Sequence, residues 1–250
     1  MIVKSNEELY ILRKGGKKLA AVLSSVAKVT IPGITTKFLD ELAEKLILES
    51  GGKPSFKNYK NPMGKDGYPA TLCVSINNEV VHGIPDERIL KIGDVVGLDI
   101  GAWYGGLCTD TAMTILVGGG TNRLIDATKK SLEIGISKVK AGVRIGDIGF
   151  AIQGFLEKEG FGVVRELVGH GVGNAVHEDP EIPNWGKSGT GPELVEGMVI
   201  AIEPMAIEGS PKVKLLPDGW TWATMDGFNA AHFEHTLVVT KNGAEILTKQ

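Results

Sequence analysis

The sequence predicts an α/β (α+β) chain made of two pseudo-symmetric halves, each two helices followed by antiparallel strands. Three observations carry that expectation. Apolar residues recur at helical spacing in four segments and form short strand-like runs elsewhere. The second half repeats the order of the first and, more weakly, its residues. The 34 glycines sit mostly in turns between apolar runs, as a chain rich in tight hairpins requires. Such halves close face to face around a shared sheet with helices outside. No Pro/Ser-rich linker separates them, so residues 1–250 read as one domain, with the repeat falling roughly at 1–120 and 121–250.

The first helix is expected over "SNEELYILRKGGKKLAAVLSSVAKV". Leu9, Leu12, Leu19, Val22, Leu23 and Val26 share one stripe there, and Ser5 followed by Glu8 reads as a capping box. "TKFLDELAEKLILESGG" is the second helix, capped by Thr35 or Thr36 and stopped by Gly51 and Gly52. "TLCVSINNEVVHGI" reads as two short strands around the asparagines, and Gly93–Gly119 as two apolar strands joined by a Gly-rich turn. After Gly120 come two more helices, "NRLIDATKKSLEIGISKVKAG" and "IGDIGFAIQGFLEKEG". A loop-rich stretch, "GHGVGNAVHEDPEIPNWGKSGTGPELVEG", then leads to the strands "MVIAIEPMAI" and "HFEHTLVVT".

The repeat has a register. Gly33 aligns with Gly142 and Gly51 with Gly160, both at an offset of 109. "GDVVGLD" echoes "GMVIAIE", each with an acid six residues after its glycine, Asp99 and Glu203. "TDTAMTILVGGG" echoes "FEHTLVVTKNG", which aligns Asp110 with Glu234. Acids therefore recur at matching places within runs that should be buried.

The totals exclude several classes. A net charge of −3 gives no nucleic-acid or membrane footprint. The two cysteines, Cys73 and Cys108, form neither a CxxC pair nor a disulfide framework. "MIVKSNEELYILRKGG" has no secretory apolar region, and no apolar run approaches the roughly 20 residues of a membrane span. A reducing, cytoplasmic setting is the expectation.

A buried carboxylate without a partner is costly and tends to protonate. Nearby strands supply no four matching bases for Asp99, Asp110, Glu203 and Glu234, so a cation is the cheaper neutraliser. Two divalent ions balance four carboxylates, and a neutral imidazole adds no charge. His170 and His177 lie in the Gly-rich loop between the acid-bearing strands and are the candidates for that nitrogen. Oxygen ligands with one nitrogen suit Mn, Fe, Co or Zn in a pair roughly 3.5–4 Å apart, which acidifies a shared water into a nucleophile.

At this point the motifs "VVHGIPDE", "GLDIGAWYGGLCTDTAM", "GHGVGNAVHEDP", "IAIEPM" and "FEHTLVV", in this order, resemble the type I methionine aminopeptidases, metal-dependent enzymes of the pita-bread fold. The resemblance runs from the first helix to "GAEIL" and is to the short bacterial form. It implies a curved antiparallel sheet with helices outside and a dinuclear metal site between the halves. It implies Asp99, Asp110, His170, Glu203 and Glu234 as ligands of two divalent ions (Co, Mn, Fe or Zn), with Asp99 and Glu234 bridging. It implies that His177 contacts the scissile peptide, that His82 lies near the substrate backbone and leaving amine, and that Glu203 also shuttles the proton. Tyr68, Cys73 and Trp220 match the side-chain pocket. Substrates would be N-terminal Met peptides and nascent chains with a small second residue, met in the cytoplasm by a monomer in transient contact with the ribosome, with neither nucleic acid nor membrane as partner. Pro62, Lys65 and Asp66 stand where the bacterial pattern usually has Cys, Tyr and His, and Val176 where an aromatic is more usual, which implies a wider or more exposed pocket.

Two other readings compete. A proline-directed peptidase of the same fold usually carries a further N-terminal domain, whereas this chain starts at the first helix. A pita-bread scaffold that only binds protein should lack metal ligands, whereas all five are present. In "HFEH", alternation puts His232 on the face of Glu234, as a group holding a ligand or as plain packing, and His235 on the other.

Overall fold

The computed structural model describes residues 1–60 and 67–249. Pro62, Lys65 and Asp66 lie outside them. The helices are α1 (Asn6–Lys28), α2 (Thr36–Glu49), α3 (Arg123–Lys138) and α4 (Ile145–Lys158). The strands are β1 (Lys53–Pro54), β2 (Leu72–Ile76), β3 (Glu79–Val81), β4 (Val95–Tyr104), β5 (Leu107–Leu116), β6 (Gly162–Val163), β7 (Gly169–Gly171) and β8 (Glu178–Ile182). They continue with β9 (Val199–Ile202), β10 (Met205–Ile207), β11 (Val213–Leu215), β12 (Trp222–Thr224), β13 (Ala230–His232), β14 (Glu234–Thr240) and β15 (Gly243–Ile246).

Side-chain caps start the helices where the sequence puts them. Ser5 accepts from the Glu8 amide at 3.1 Å and Thr35 from the Phe38 amide at 3.2 Å. The return arm of the first box differs from expectation: Glu8 accepts from the Lys4 amide at 2.6 Å, one residue before the cap. Gly51 at φ +83° and Gly160 at φ +87° end α2 and α4 in the left-handed conformation that glycine adopts without strain.

A curled antiparallel sheet runs β1-β4-β5-β14-β9-β7-β8, with β2 beside β4 and β15 beside β14. Helices α1 and α2 bury Leu19, Leu23, Val26, Leu39 and Ile47 against Leu72, Val74, Leu98 and Ile100 of β2 and β4. Helices α3 and α4 bury Leu132, Ile148, Ile152 and Leu156 against Ile200, Ile202, Leu237 and Val239 of β9 and β14. Each half thus lays its helix pair on the same side of the sheet and leaves the other side free for polar side chains.

The hydrogen bonds repeat as well as the residues. Gly33 donates to Leu90 O at 2.9 Å, and Gly142 to Leu194 O at 2.9 Å. Gly93 donates to Val117 O at 2.9 Å, and Gly197 to Val239 O at 2.8 Å. Helices α2 and α4 both span 14 residues.

Two segments depart from the sequence reading. The loop-rich stretch contributes β7 and β8 to the main sheet, because Gly169 and Gly171 carry no Cβ: one there would meet the backbone of Ala201 or Asp179. "HFEHTLVVT" breaks at Phe233. Its first residue, His232, pairs with Met205 of β10, and Glu234 onward pairs with β5, β9 and β15.

Candidate metal centre

The sheet register explains why the acids converge. Across three strands, Asp99 lies opposite Ala112 and Ala112 opposite Glu234, so two carboxylates flank one methyl. In the next row Asp110 lies opposite Gly101, and His170 opposite Ala201, which is opposite Thr236. Glu203 follows Ala201 by two residues and projects to the same face. Gly101 lets the loop after β1 close over this face: a Cβ there would collide with Ser55 and Phe56.

The seam between the halves is closed by hydroxyls. Strand β14 pairs with β5 only at Glu234 and His235 and turns to β15 from Leu237 on. At that fork Thr236 Oγ1 accepts from the Asp110 amide at 2.8 Å and donates to the Asp110 carbonyl at 2.7 Å. Thr111 Oγ1 donates to Glu234 O at 2.9 Å, and Thr114 Oγ1 to His232 O at 2.7 Å. Replacing Thr236 by valine keeps the volume and leaves two buried backbone groups of Asp110 without a partner. The expected cost is about 1–3 kcal/mol in thermal or denaturant unfolding, together with weaker metal binding by calorimetry. A serine at 236 should recover most of both.

All ten predicted site residues line one cavity: Tyr68, Cys73, His82, Asp99, Asp110, His170, His177, Glu203, Trp220 and Glu234. Phe56 and Tyr59 complete its wall. The sequence reading missed these two; a pair of aromatics in a short loop after β1 is a weak signal by itself. Cys73 sits opposite Asp99 in the β2–β4 register, so the apolar slot adjoins the acids. Tyr68 is buried, donates to Gly83 O at 2.9 Å and meets Trp220 edge-on at 5.2 Å. Val176 is buried in the apolar cluster behind this wall. Cys108 is also buried there and does not line the cavity. His82 holds a left-handed φ of +59°, a strained conformation for a side-chain-bearing residue and one that concentrates at functional sites.

The donor set is short of protons. Among the described residues no Lys or Arg pairs with Asp99, Asp110, Glu203 or Glu234; the nearest nitrogens are histidines. Asp99 Oδ1, Asp110 Oδ1 and Glu234 Oε1 are buried without any hydrogen-bond partner. His170 Nδ1 lies 2.9 Å from Gly171 O. A carbonyl only accepts, so Nδ1 carries the hydrogen and Nε2 presents a lone pair to Glu203 at 3.5 Å and Glu234 at 3.9 Å. Asp110, His170 and Glu234 each bring a ligand atom within 4.8 Å of the others. Acceptors facing acceptors repel one another unless a cation sits between them, and carboxylates with one imidazole suit divalent transition metals. The residues present fit such ions.

His232 arrives by a different route from the expected continuous strand. It ends β13, and its Nε2 is 3.3 Å from Glu203 Oε2. His235 faces away, with Nδ1 3.0 Å from Thr248 Oγ1.

Burial sets the protonation of the metal-free cluster. It pushes Asp99 and Glu234 well above the usual carboxylate range, with repulsion from the neighbouring acids adding to it. Asp110 rises for the same reasons, and burial takes Glu203 up to about 8. Burial lowers His170 and His232 to about 3, so both are neutral at pH 7. The histidines, which the unfolded chain protonates first, favour the fold as pH rises from about 3 to about 6.5. The carboxylates, protonated in the fold and ionised in the unfolded chain, destabilise it as pH rises from about 4.5 to about 8. Above pH 6.5 only the second effect remains. Chelated protein should therefore lose stability between pH 6.5 and 8.5, and saturating divalent metal should remove most of that slope, as read by thermal unfolding at each pH.

The sequence profile of metallopeptidase family M24 matches residues 11–241. The Bacillus subtilis methionine aminopeptidase 1 is 46% identical over 252 residues, covering 100% of this chain and 99% of that protein. A Clostridium perfringens methionine aminopeptidase is 46% identical over 99% of this chain and 98% of its own. A crystal structure of methionine aminopeptidase from Thermotoga maritima superposes over the full length of both chains with a TM-score of 0.94 at 45% identity. A prolidase from Pyrococcus furiosus shares the fold at a TM-score of 0.79 and 22% identity, with this chain covering 66% of it.

Proposed function

This chain belongs to metallopeptidase family M24 and, within it, to the methionine aminopeptidases, and from that premise we propose that it hydrolyses the first peptide bond of chains that begin with methionine, favouring a small second residue. The observation that carries this reading is the buried cluster of carboxylate oxygens without hydrogen-bond partners beside an aromatic slot.

Asp99, Asp110, His170, Glu203 and Glu234 would hold two divalent ions, with Asp99 and Glu234 brought together by flanking Ala112 in one row. Bound there, such ions supply Lewis-acid polarisation of the scissile carbonyl and a nucleophilic water at neutral pH. The rest falls to the protein. Tyr68, Cys73, Trp220 and Phe56 receive the thioether side chain, since sulfur packs well against aromatic edges. His177 lies edge-on to His170 with ring centroids 4.4 Å apart and donates to the carbonyl oxygen as it gains charge. Glu203, whose basicity burial raises, carries the proton to the leaving amine. His82 is neutral, since burial lowers it to about 4, and faces the substrate backbone near that amine.

The same reading extends to the whole chain. The matched helices and hydrogen bonds support one domain of two related halves, which we take to act as a monomer. Among the described residues no helix is long and apolar enough to cross a membrane. We place the reaction in the cytoplasm, on free peptides and on nascent chains in transient contact with the ribosome.

A peptide panel tests the assignment. Met-Ala-Ser, Met-Gly-Met-Met, Leu-Ala-Ser and Xaa-Pro peptides are offered to chelated protein and then with Mn²⁺, Co²⁺, Fe²⁺ or Zn²⁺. Release of free methionine only when metal is present is the expected result. Preferential cleavage of Xaa-Pro bonds, or no turnover with any metal, overturns it.

A further inference from the structure

Tyr59 lines the cavity and has no part in the mechanism above. Its oxygen lies 2.7 Å from His177 Nδ1, and the two rings meet edge-on with centroids 5.1 Å apart and planes at 75°. Its backbone is pinned on both sides to the cavity wall: the Tyr59 amide donates to Phe56 O at 2.8 Å, and the Tyr68 amide donates to Tyr59 O at 2.9 Å.

We propose that Tyr59 is a positioning residue for His177: its hydroxyl donates to Nδ1, holds the imidazole in the Nε2–H tautomer, and so keeps a hydrogen-bond donor facing the scissile carbonyl. The proposal rests on the reading of His177 as the residue that contacts that carbonyl.

Two arrangements of the Tyr59–His177 bond are open to the atoms. If Nδ1–H donated to the tyrosine oxygen, Nε2 would present a lone pair to a carbonyl oxygen, acceptor against acceptor. The tyrosine hydrogen would then have no recorded acceptor among the described residues. If the hydroxyl donates, both groups are satisfied and Nε2 carries its hydrogen toward the substrate. Burial raises the Tyr59 hydroxyl above its ordinary range, so the proton stays on oxygen. His177 needs such a support because its own loop leaves it exposed at the cavity mouth. A partner that fixes which ring nitrogen bears the hydrogen is how proteins commonly set an imidazole's role.

The test compares Tyr59→Phe, His177→Ala and the double variant in metal-loaded enzyme on Met-Ala-Ser, with ¹⁵N-histidine spectra of the wild type and of Tyr59→Phe. The expected Tyr59→Phe result is a kcat lowered by about 10-fold with KM within about 2-fold, and no further loss when it is added to His177→Ala. The wild-type spectrum should show His177 protonated on Nε2, and the Tyr59→Phe spectrum a mixture of tautomers. Wild-type kcat in Tyr59→Phe alongside an impaired His177→Ala overturns the proposal and leaves the role of His177 standing. So does an equal loss from Tyr59→Phe in both backgrounds, or a wild-type ring protonated on Nδ1. A fully active His177→Ala removes the premise itself, and the proposal with it.

Discussion

Replacing His170 or Asp110 by alanine is expected to abolish turnover while sparing, or even raising, the stability of the metal-free protein. The two effects separate because the cluster does opposite things in its two states. Without metal, acceptors crowd one buried face of the sheet, and removing one relieves repulsion. With metal, each ligand contributes to binding that only the folded state achieves, so the loaded wild type gains stability by mass action. Either variant should therefore melt near or above chelated wild type, gain little on adding Mn²⁺ or Co²⁺, and bind fewer ions per chain by calorimetry. Unchanged metal stoichiometry in both would sink the ligand assignment. Asp110 is the sharper of the two, because its backbone is already fixed by Thr236 and its carboxylate alone is changed.

The second large effect is kinetic. His177→Ala should retain metal and melt like wild type, yet lose about 10²-fold or more in kcat, the scale of one hydrogen-bond donor to a developing oxyanion. KM should change far less, since the bond strengthens only as charge gathers on the carbonyl oxygen. The cavity geometry supports this division. His177 lies edge-on to His170 with ring centroids 4.4 Å apart, while its Nδ1 lies 2.7 Å from the Tyr59 hydroxyl. Wild-type turnover in this variant would take His177 out of the reaction.

Much of this was legible in the chain because the site is periodic. Acids repeat at matching places in two strand pairs, and a period of two puts them on one face, so the carboxylates of the cavity follow from pattern alone. Helix caps at Ser5 and Thr35 and left-handed glycines at Gly51 and Gly160 carry local signals that act where they stand. What pattern does not carry is pairing across long separations. The fork at Thr236 depends on β14 meeting β5 and β15 on one edge, 126 residues from Asp110. The break at Phe233 and the entry of Gly169–Gly171 into the sheet likewise depend on partners far away in sequence. Phe56 and Tyr59 escaped notice for that reason too: their only mark is aromaticity in a short loop, and the cavity they complete is assembled from both halves.

The most direct test of the central claim, that the buried acids hold metal, is anomalous scattering from crystals of the Mn²⁺- or Co²⁺-loaded protein, recorded at the metal's absorption edge. The account predicts strong peaks inside the cavity, bounded by Asp99, Asp110, His170, Glu203 and Glu234, and their loss in the His170→Ala crystal. An active, metal-loaded protein whose anomalous peaks all lie outside that cavity would contradict it.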